Sequence, residues 1–272
     1  VRFLVHPPEN AVFRGLGPVW DFLAISPDGK KLAFVAVQAG RRSLWVQPLS
    51  SLEAKPLAGT AGAESPFWSP DSRFIGFFAE GKLKKVEATG APPQTVCDSV
   101  GRLISGTWGR DGSILFGTWG ESGGTYRVSA SGGTPEQVGK RLIWSWPQIL
   151  PDGRRFVRLS GDEKTRSFQA VIASLGSDQV TSLVKPHSKT LYAPPMEEGG
   201  PAHLLFLREG TLVAQPFDEK QQRMAGEAVP LVDQILNVAT TGSAAFWASE
   251  SGVLAYQSGA QASRLVWFDR NG

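Results

Sequence analysis

The chain has 272 residues, a net charge of +3 and an isoelectric point near 9.1. A domain of that length buries roughly 70–75% of its unfolded surface and needs no staples; the single cysteine, Cys97, excludes an internal disulfide and reads as a small buried apolar residue. The mild basic balance, with no long run of like charges, is no nucleic-acid footprint, and no apolar stretch approaches the roughly 18 residues of a membrane helix.

Glycine (31), proline (19) and tryptophan (9) are abundant, which argues for many turns between aromatic-rich strands and so for an all-β chain. The first residue is Val1 and no signal-peptide pattern follows, so the chain reads as cut from something longer. In chain order, "VRFLVHPP" (Val1–Pro8) is a strand with no hairpin partner before it. "FLAISPDGKKLAFV" (Phe22–Val35) alternates apolar residues, turns at Ser26-Pro27-Asp28-Gly29, and alternates again; "SPFWSPDSRFIGFF" (Ser65–Phe78) is a near-copy. The turn recurs at Gly109-Arg110-Asp111-Gly112 and Leu150-Pro151-Asp152-Gly153, and Asp28, Asp71, Asp111 and Asp152 stand 43, 40 and 41 residues apart. A period of about 40–45 residues built of strands is that of a four-stranded propeller blade. Pro presets φ at the second turn position, Asp bonds the neighbouring backbone, and Gly relieves crowding at the end. These aspartates are therefore read as turn chemistry. The ring separates them onto different blades, which disfavours a shared metal site.

The second blade divides into strands Ser65–Trp68, Phe74–Phe78, Leu83–Glu87 and Gln94–Cys97. Two further copies keep the hairpin without the turn motif, at Tyr192–Asp218, with a tight Glu209-Gly210 turn, and at Ala244–Gly259. The expected fold is a six-bladed β-propeller of four-stranded antiparallel blades, one domain over 1–272, with blades near 14–58, 59–98, 99–139, 140–184, 185–234 and 235–272 plus 1–8. The sixth copy offers Ala244–Ala248, Val253–Gln257 and Arg264–Phe268, and Arg2–His6 is expected to supply its outer strand, closing the ring and removing open edges. The alternative is part of a larger ring, or the first of two propellers.

"SPDGKKLAFVA", "LEAKPLAGTAGAESPFWSPDSRFIGFFAEGKLKKVEATG" and "GGTYRVSASGGTPEQV" resemble WD-repeat-like, TolB-type β-propeller repeats, and more narrowly the extracytoplasmic sensor region of bacterial receptor-like serine/threonine protein kinases. The resemblance covers nearly the whole chain and is strongest over Phe22–Gln137. It implies a parent with a cytoplasmic kinase domain, a membrane helix and this propeller outside, at the periplasm or cell surface. None of the kinase signatures stands in this sequence, so no kinase residue carries over.

A search for chemistry finds little. His6, His187 and His203 lack metal-ligand spacing, and no H-E-x-x-H, G-x-S-x-G or helix-capped Gly-rich loop occurs. No cofactor and no metal is expected. Trp20, Trp68, Trp108, Trp146 and Trp247 recur just before the first turn of a blade and are expected to pack between blades. Ligand-binding candidates come from the loops before each inner strand (Glu64, Arg102, Trp144, Tyr192) and between second and third strands (Arg41, Arg42, Trp119, Glu121, Asp162, Glu163, Lys164, Arg166). Of these, Glu64, Arg102, Trp119, Trp144, Tyr192, Arg41 and Arg166 form the channel-face set, whose mixed charges and aromatics suit a protein, peptide or glycan. The expected function is a noncatalytic binding propeller, a sensor or scaffold, with dimerisation as one route for relaying a signal. The alternatives are a TolB-like envelope scaffold and the propeller of a hydrolase or peptidase.

Overall fold

A computed structural model describes residues 4–13, 22–98, 102–119, 123–139, 146–162 and 167–259. Every regular element among these residues is a β-strand. The second blade is Glu64–Trp68, Phe74–Ala79, Lys82–Glu87 and Gln94–Asp98, within about a residue of the strands read from the alternation. The third is Arg102–Trp108, Ser113–Trp119, Gly124–Ser129 and Glu136–Val138. The fourth is Gln148–Ile149, Arg155–Asp162, Ser167–Ser174 and Val180–Val184. All pair antiparallel, each strand with the next in sequence.

Two blades have a divided position. In the first blade, Lys31–Gln38 pairs with Arg41–Pro48 on one side, and Arg41–Pro48 pairs with Lys55–Pro56 beyond it. The inner side of Lys31–Gln38 is shared: Leu23–Ile25 pairs with its first half and Ala11–Phe13 with its second. In the fifth blade, Leu191–Ala193, Ala202–Arg208 and Thr211–Asp218 follow in order, and Arg223–Met224 and Val229–Val232 share the outer place against the third strand.

Three hairpins between second and third strands use the same device. Ala39-Gly40, Glu80-Gly81 and Glu209-Gly210 have positive φ at both residues, 48° and 73°, 54° and 71°, and 51° and 85°. This is the type I′ geometry whose twist matches that of the flanking strands, and Gly in the second place takes it without strain.

Five four-stranded blades are present among the described residues, not the expected six. The sixth sector holds a two-stranded hairpin, Phe246–Ala248 with Leu254–Tyr256, beside a short pair of Asn237–Val238 with Ser243–Ala244. It is wedged between the ends of the chain of blades. Ala244 and Phe246 pack with Leu191, Leu205 and Leu207 of the fifth blade, and Ala245, Trp247 and Val253 with the core of the first. At the first blade's turn the fit is close: a Cβ added to Gly29 would lie 2.2 Å from Ser251 Oγ. The expected closure by Arg2–His6 is not what the described residues contain. Residues 4–8 carry no strand, Leu4 is exposed, and the first strand is Ala11–Phe13, paired within the first blade. Pro7 and Pro8, which have no N–H for a ladder, separate this segment from the strand Ala11–Phe13. Residues 1–3 and 264–268 lie outside the described residues.

Blades stack face to face through large side chains. Phe67 is 1% exposed and lies over Gly76 of its own blade and Gly106 of the next; a Cβ at either glycine would sit 2.3 Å from the ring. Trp108 meets Phe67 edge-on at 6.5 Å. Trp68 is buried and donates from Nε1 to Ala24 O of the first blade at 2.9 Å. Trp146 is buried with Ile104, Leu159 and Phe168. These tryptophans do pack between blades; Trp20 lies outside the described residues. Cys97 is buried, and burial followed by the Asp98 charge pushes its thiol up to about 11, which leaves it a packing residue.

The recurring aspartates are turn residues. Ser26 Oγ donates to Asp28 Oδ1 at 2.5 Å and accepts from Lys31 N at 2.9 Å, while Asp28 Oδ1 accepts from Lys30 N at 3.0 Å. Ser69, Asp71, Arg73 and Phe74 repeat the pattern at 2.6, 3.1 and 2.8 Å. Asp111 accepts from Ser113 N and Oγ, and Asp152 from the amides of Arg154 and Arg155. Partial burial pulls each carboxyl up, but the hydrogen bonds and nearby cations together outweigh it, so all four sit below the ordinary value of 3.8.

Phe67→Ala should cost about 3–5 kcal/mol by leaving a cavity, and Gly106→Ala about 1–3 kcal/mol by overpacking, both read from urea denaturation. Because the folded aspartates titrate below their unfolded value, their stabilisation is complete above about pH 4 and is lost as the pH falls through the folded values. Melting temperature should therefore drop below pH 4, less steeply in a protein carrying Asp28→Asn and Asp71→Asn.

Candidate binding site at the channel mouth

Each inner strand runs toward its turn, and its last two residues stand at the turn end of the ring. These are Ala24 and Ile25, Phe67 and Trp68, Thr107 and Trp108, Gln148 and Ile149, Tyr192 and Ala193, and Trp247 and Ala248. A cavity of about 440 Å³ opens at this turn end, with walls from all five blades and the sixth-sector hairpin. Phe67, Trp68, Trp108, Trp247 and Tyr192 line it, and Pro27, Pro70, Pro151, Pro194 and Pro195 form its rim. Pro27, Pro70 and Pro151 are there because the turn motif places Pro second, while Pro194 and Pro195 follow the fifth blade's inner strand Leu191–Ala193.

Polar groups in the cavity are tied down. Gln148 Nε2 donates to Tyr192 O at 3.1 Å and its Oε1 accepts from Tyr192 N at 2.5 Å, joining the inner strands of the fourth and fifth blades. The Tyr192 hydroxyl donates to Glu219 Oε1 at 3.1 Å. Burial, then the Glu219 charge, pushes this phenol well above its ordinary value, so it stays neutral and a donor. Arg110 of the third blade pairs with Glu250 of the sixth-sector hairpin at 2.6 Å, across the mouth. Trp247 is held from behind by Lys189, whose Nζ lies 4.8 Å from its ring centroid and 5.2 Å from that of Phe246. Among the described residues no group of three or more His, Cys, Asp or Glu is placed to hold a metal ion.

No family model and no curated protein matches the sequence. Among solved structures, TolB from Acinetobacter baumannii is similar with a TM-score of 0.62 at 15% identity, over 88% of this chain and 57% of that one. A putative TolB from Agrobacterium tumefaciens gives 0.62 at 17%, over 88% of this chain and 91% of that one. The fold is a TolB-like β-propeller. The propeller domain of the Trilobed protease from Pyrococcus furiosus, described as having an open velcro topology, gives 0.52 at 18%, over 86% and 73% of the two chains. At these identities the likeness carries the fold alone, and the chain spans little more than half of the A. baumannii TolB.

The propeller distributes the sequence candidates over two ends. Tyr192 belongs to the cavity: it lies inside the fifth inner strand rather than in the loop before it. Glu64 lies at the opposite end, where a bulge between Glu64 and Phe67 sets it toward Arg42, with Arg42 Nη1 2.5 Å from its Oε1. Arg41 is exposed beside it. Trp119 ends the second strand of the third blade, half-buried against the cluster of Ile104, Trp146, Leu159 and Phe168. Arg102 starts the third inner strand and Asp162 ends a strand of the fourth blade. Glu121, Trp144, Glu163, Lys164 and Arg166 lie outside the described residues. Arg110, Gln148, Glu219 and Glu250 also line the cavity, and no motif in the sequence marks them as site residues. The signal for Gln148 was its place two residues before the turn, where Phe67 and Trp247 also stand.

Gln148→Ala leaves both backbone groups of Tyr192 without their partner and should cost about 1–3 kcal/mol. Glu250→Gln breaks an exposed ion pair and should change stability by less than about 1 kcal/mol. Urea denaturation of the two variants checks the ordering; equal losses would contradict it.

Proposed function

We propose that this chain is a noncatalytic binding propeller and that a protein or peptide segment docks in the channel mouth at its turn end. The observation that carries this reading is the mouth itself: five aromatic side chains under a rim of five prolines. Such a surface buries apolar side chains at small entropic cost. Its polar groups fix the chemistry of the occupant. Glu219 and Glu250 supply negative charge, and Arg110 supplies a planar cation. A segment with aromatic or proline residues and one basic side chain fits best.

The quoted sequence phrases support a finer assignment, the extracytoplasmic sensor part of a bacterial receptor-like serine/threonine kinase. In that role an occupied mouth alters the association of two copies and so the state of the kinase. A scaffold in the cell envelope is the second reading; it needs the same mouth but no relay.

The test is selection from a displayed random-peptide library with the purified chain. Enriched peptides should carry an aromatic or proline residue beside Lys or Arg, and Trp247→Ala should weaken them about tenfold or more, as truncating a binding hot spot does. Binding that ignores Trp247→Ala would move the site elsewhere. Hydrolase or lyase turnover by the pure chain, lost in Glu219→Gln, would replace the binding reading with an enzymatic one. Sedimentation with and without the enriched peptide separates sensor from scaffold.

A further inference from the structure

A second cavity, about 310 Å³, lies on the flank of the ring between the third and fourth blades. Its floor follows from register. Phe156, Arg158 and Ser160 alternate along one strand and so share one face; Arg158 pairs with Val171 and Phe156 with Ala173, which extends that face across the blade. Val138 of the third blade's outer strand closes the other side.

Arg158 is the anomaly. It is only 5% exposed, yet its Nε and Nη1 are buried with no hydrogen-bond partner. Its guanidinium lies 5.9 Å from the Phe156 ring centroid, an attraction that stabilises the charge but accepts none of its N–H donors. Asp178 lines the same cavity, is exposed, and forms no ion pair with it. Arginine does not shed its proton under ordinary conditions, so a buried, unanswered guanidinium is a standing cost to the fold. Native interiors retain such groups where something supplies the acceptor.

We propose that this cavity binds a small apolar monocarboxylate, with the carboxylate on Arg158 and the hydrocarbon body against Phe156, Val138 and Val171. Guanidinium and carboxylate match in geometry and charge. The volume is at the lower end for small-molecule sites, and the walls are mostly apolar. Asp178 opposes a second negative charge, which selects a monoanion over a dicarboxylate or phosphate. The site shares no residue with the channel mouth, so the two readings stand or fall separately.

Benzoate and hexanoate are the probes, with benzamide as the neutral control and inorganic phosphate as the bare anion. Thermal melting and calorimetric titration are run on the intact chain and on Arg158→Met. At tenfold excess over the dissociation constant, a carboxylate should raise the melting temperature by about 2–6 °C, with no shift from benzamide. Arg158→Met should melt no lower than the parent, because an unpaired buried charge is gone, and should lose the benzoate shift. The proposal is overturned if neither carboxylate shifts the parent, if benzamide or phosphate shifts it as much, or if Arg158→Met keeps the response. Should Arg158→Met fail to fold, the comparison of benzoate with benzamide on the parent chain decides alone.

Discussion

A propeller has no backbone ladder between one blade and the next, so every junction depends on side chains crossing from one inner strand to its neighbour. In this chain the described ladders stay within single sheets. The crossings are therefore specific. Trp68 donates to Ala24 O, Gln148 holds both backbone groups of Tyr192, and Thr107 Oγ1 accepts from Ile149 N at 3.4 Å. Phe67 fills the space between two sheets only because Gly76 and Gly106 leave it room. At these four junctions a neutral, oriented side chain does what a hydrogen-bond ladder does inside a blade. It also sets the spacing between inner strands and hence the width of the channel.

Most of these junction residues also line the channel cavity, which couples stability to the candidate site. Tyr192 is at once a partner of Gln148 and a wall of the cavity; Trp68 is both an interblade donor and a lining ring. Cavity walls built from junction residues are rigid, and a rigid wall loses little freedom on binding. The charges sit at the edge. Arg110 and Glu250 meet across the mouth from opposite parts of the chain, exposed enough that their contribution lies in choosing an occupant rather than in holding the ring.

Local chemistry was legible in the sequence and ring geometry was not. The spacing of Asp28, Asp71, Asp111 and Asp152 located four blades, and the alternation around Ser69-Pro70-Asp71 drew the second blade's strands nearly to the residue, because turns and pleats depend on neighbours a few positions away. The inner-strand tryptophans were readable for the same reason. The sixth sector was not, since whether Phe246–Ala248 gains two or four strands depends on segments far apart in sequence. Nor was the end at which the cavity opens: Glu64 and Tyr192 look alike in linear order, and only the stacking of blades sends one to a surface pair with Arg42 and the other to the channel. Arg158 is the extreme case. In sequence it is one polar residue in an alternating strand, and its burial beside a cavity shared with another blade is set by how the blades stack.

The two-stranded hairpin of the sixth sector gives the ring a seam. Within each of the five blades, partners are near in sequence, and such contacts form early because they close short loops. The contact of Gly29 with Ser251 and Val253 joins the beginning of the array to its end. It closes a loop that takes in most of the chain, so it carries a larger closure cost than any contact within a blade. A contact that closes so long a loop forms after the short loops within the blades have closed. Because Trp247 and Glu250 stand on that hairpin, an occupant of the channel mouth also acts as a clasp across the seam.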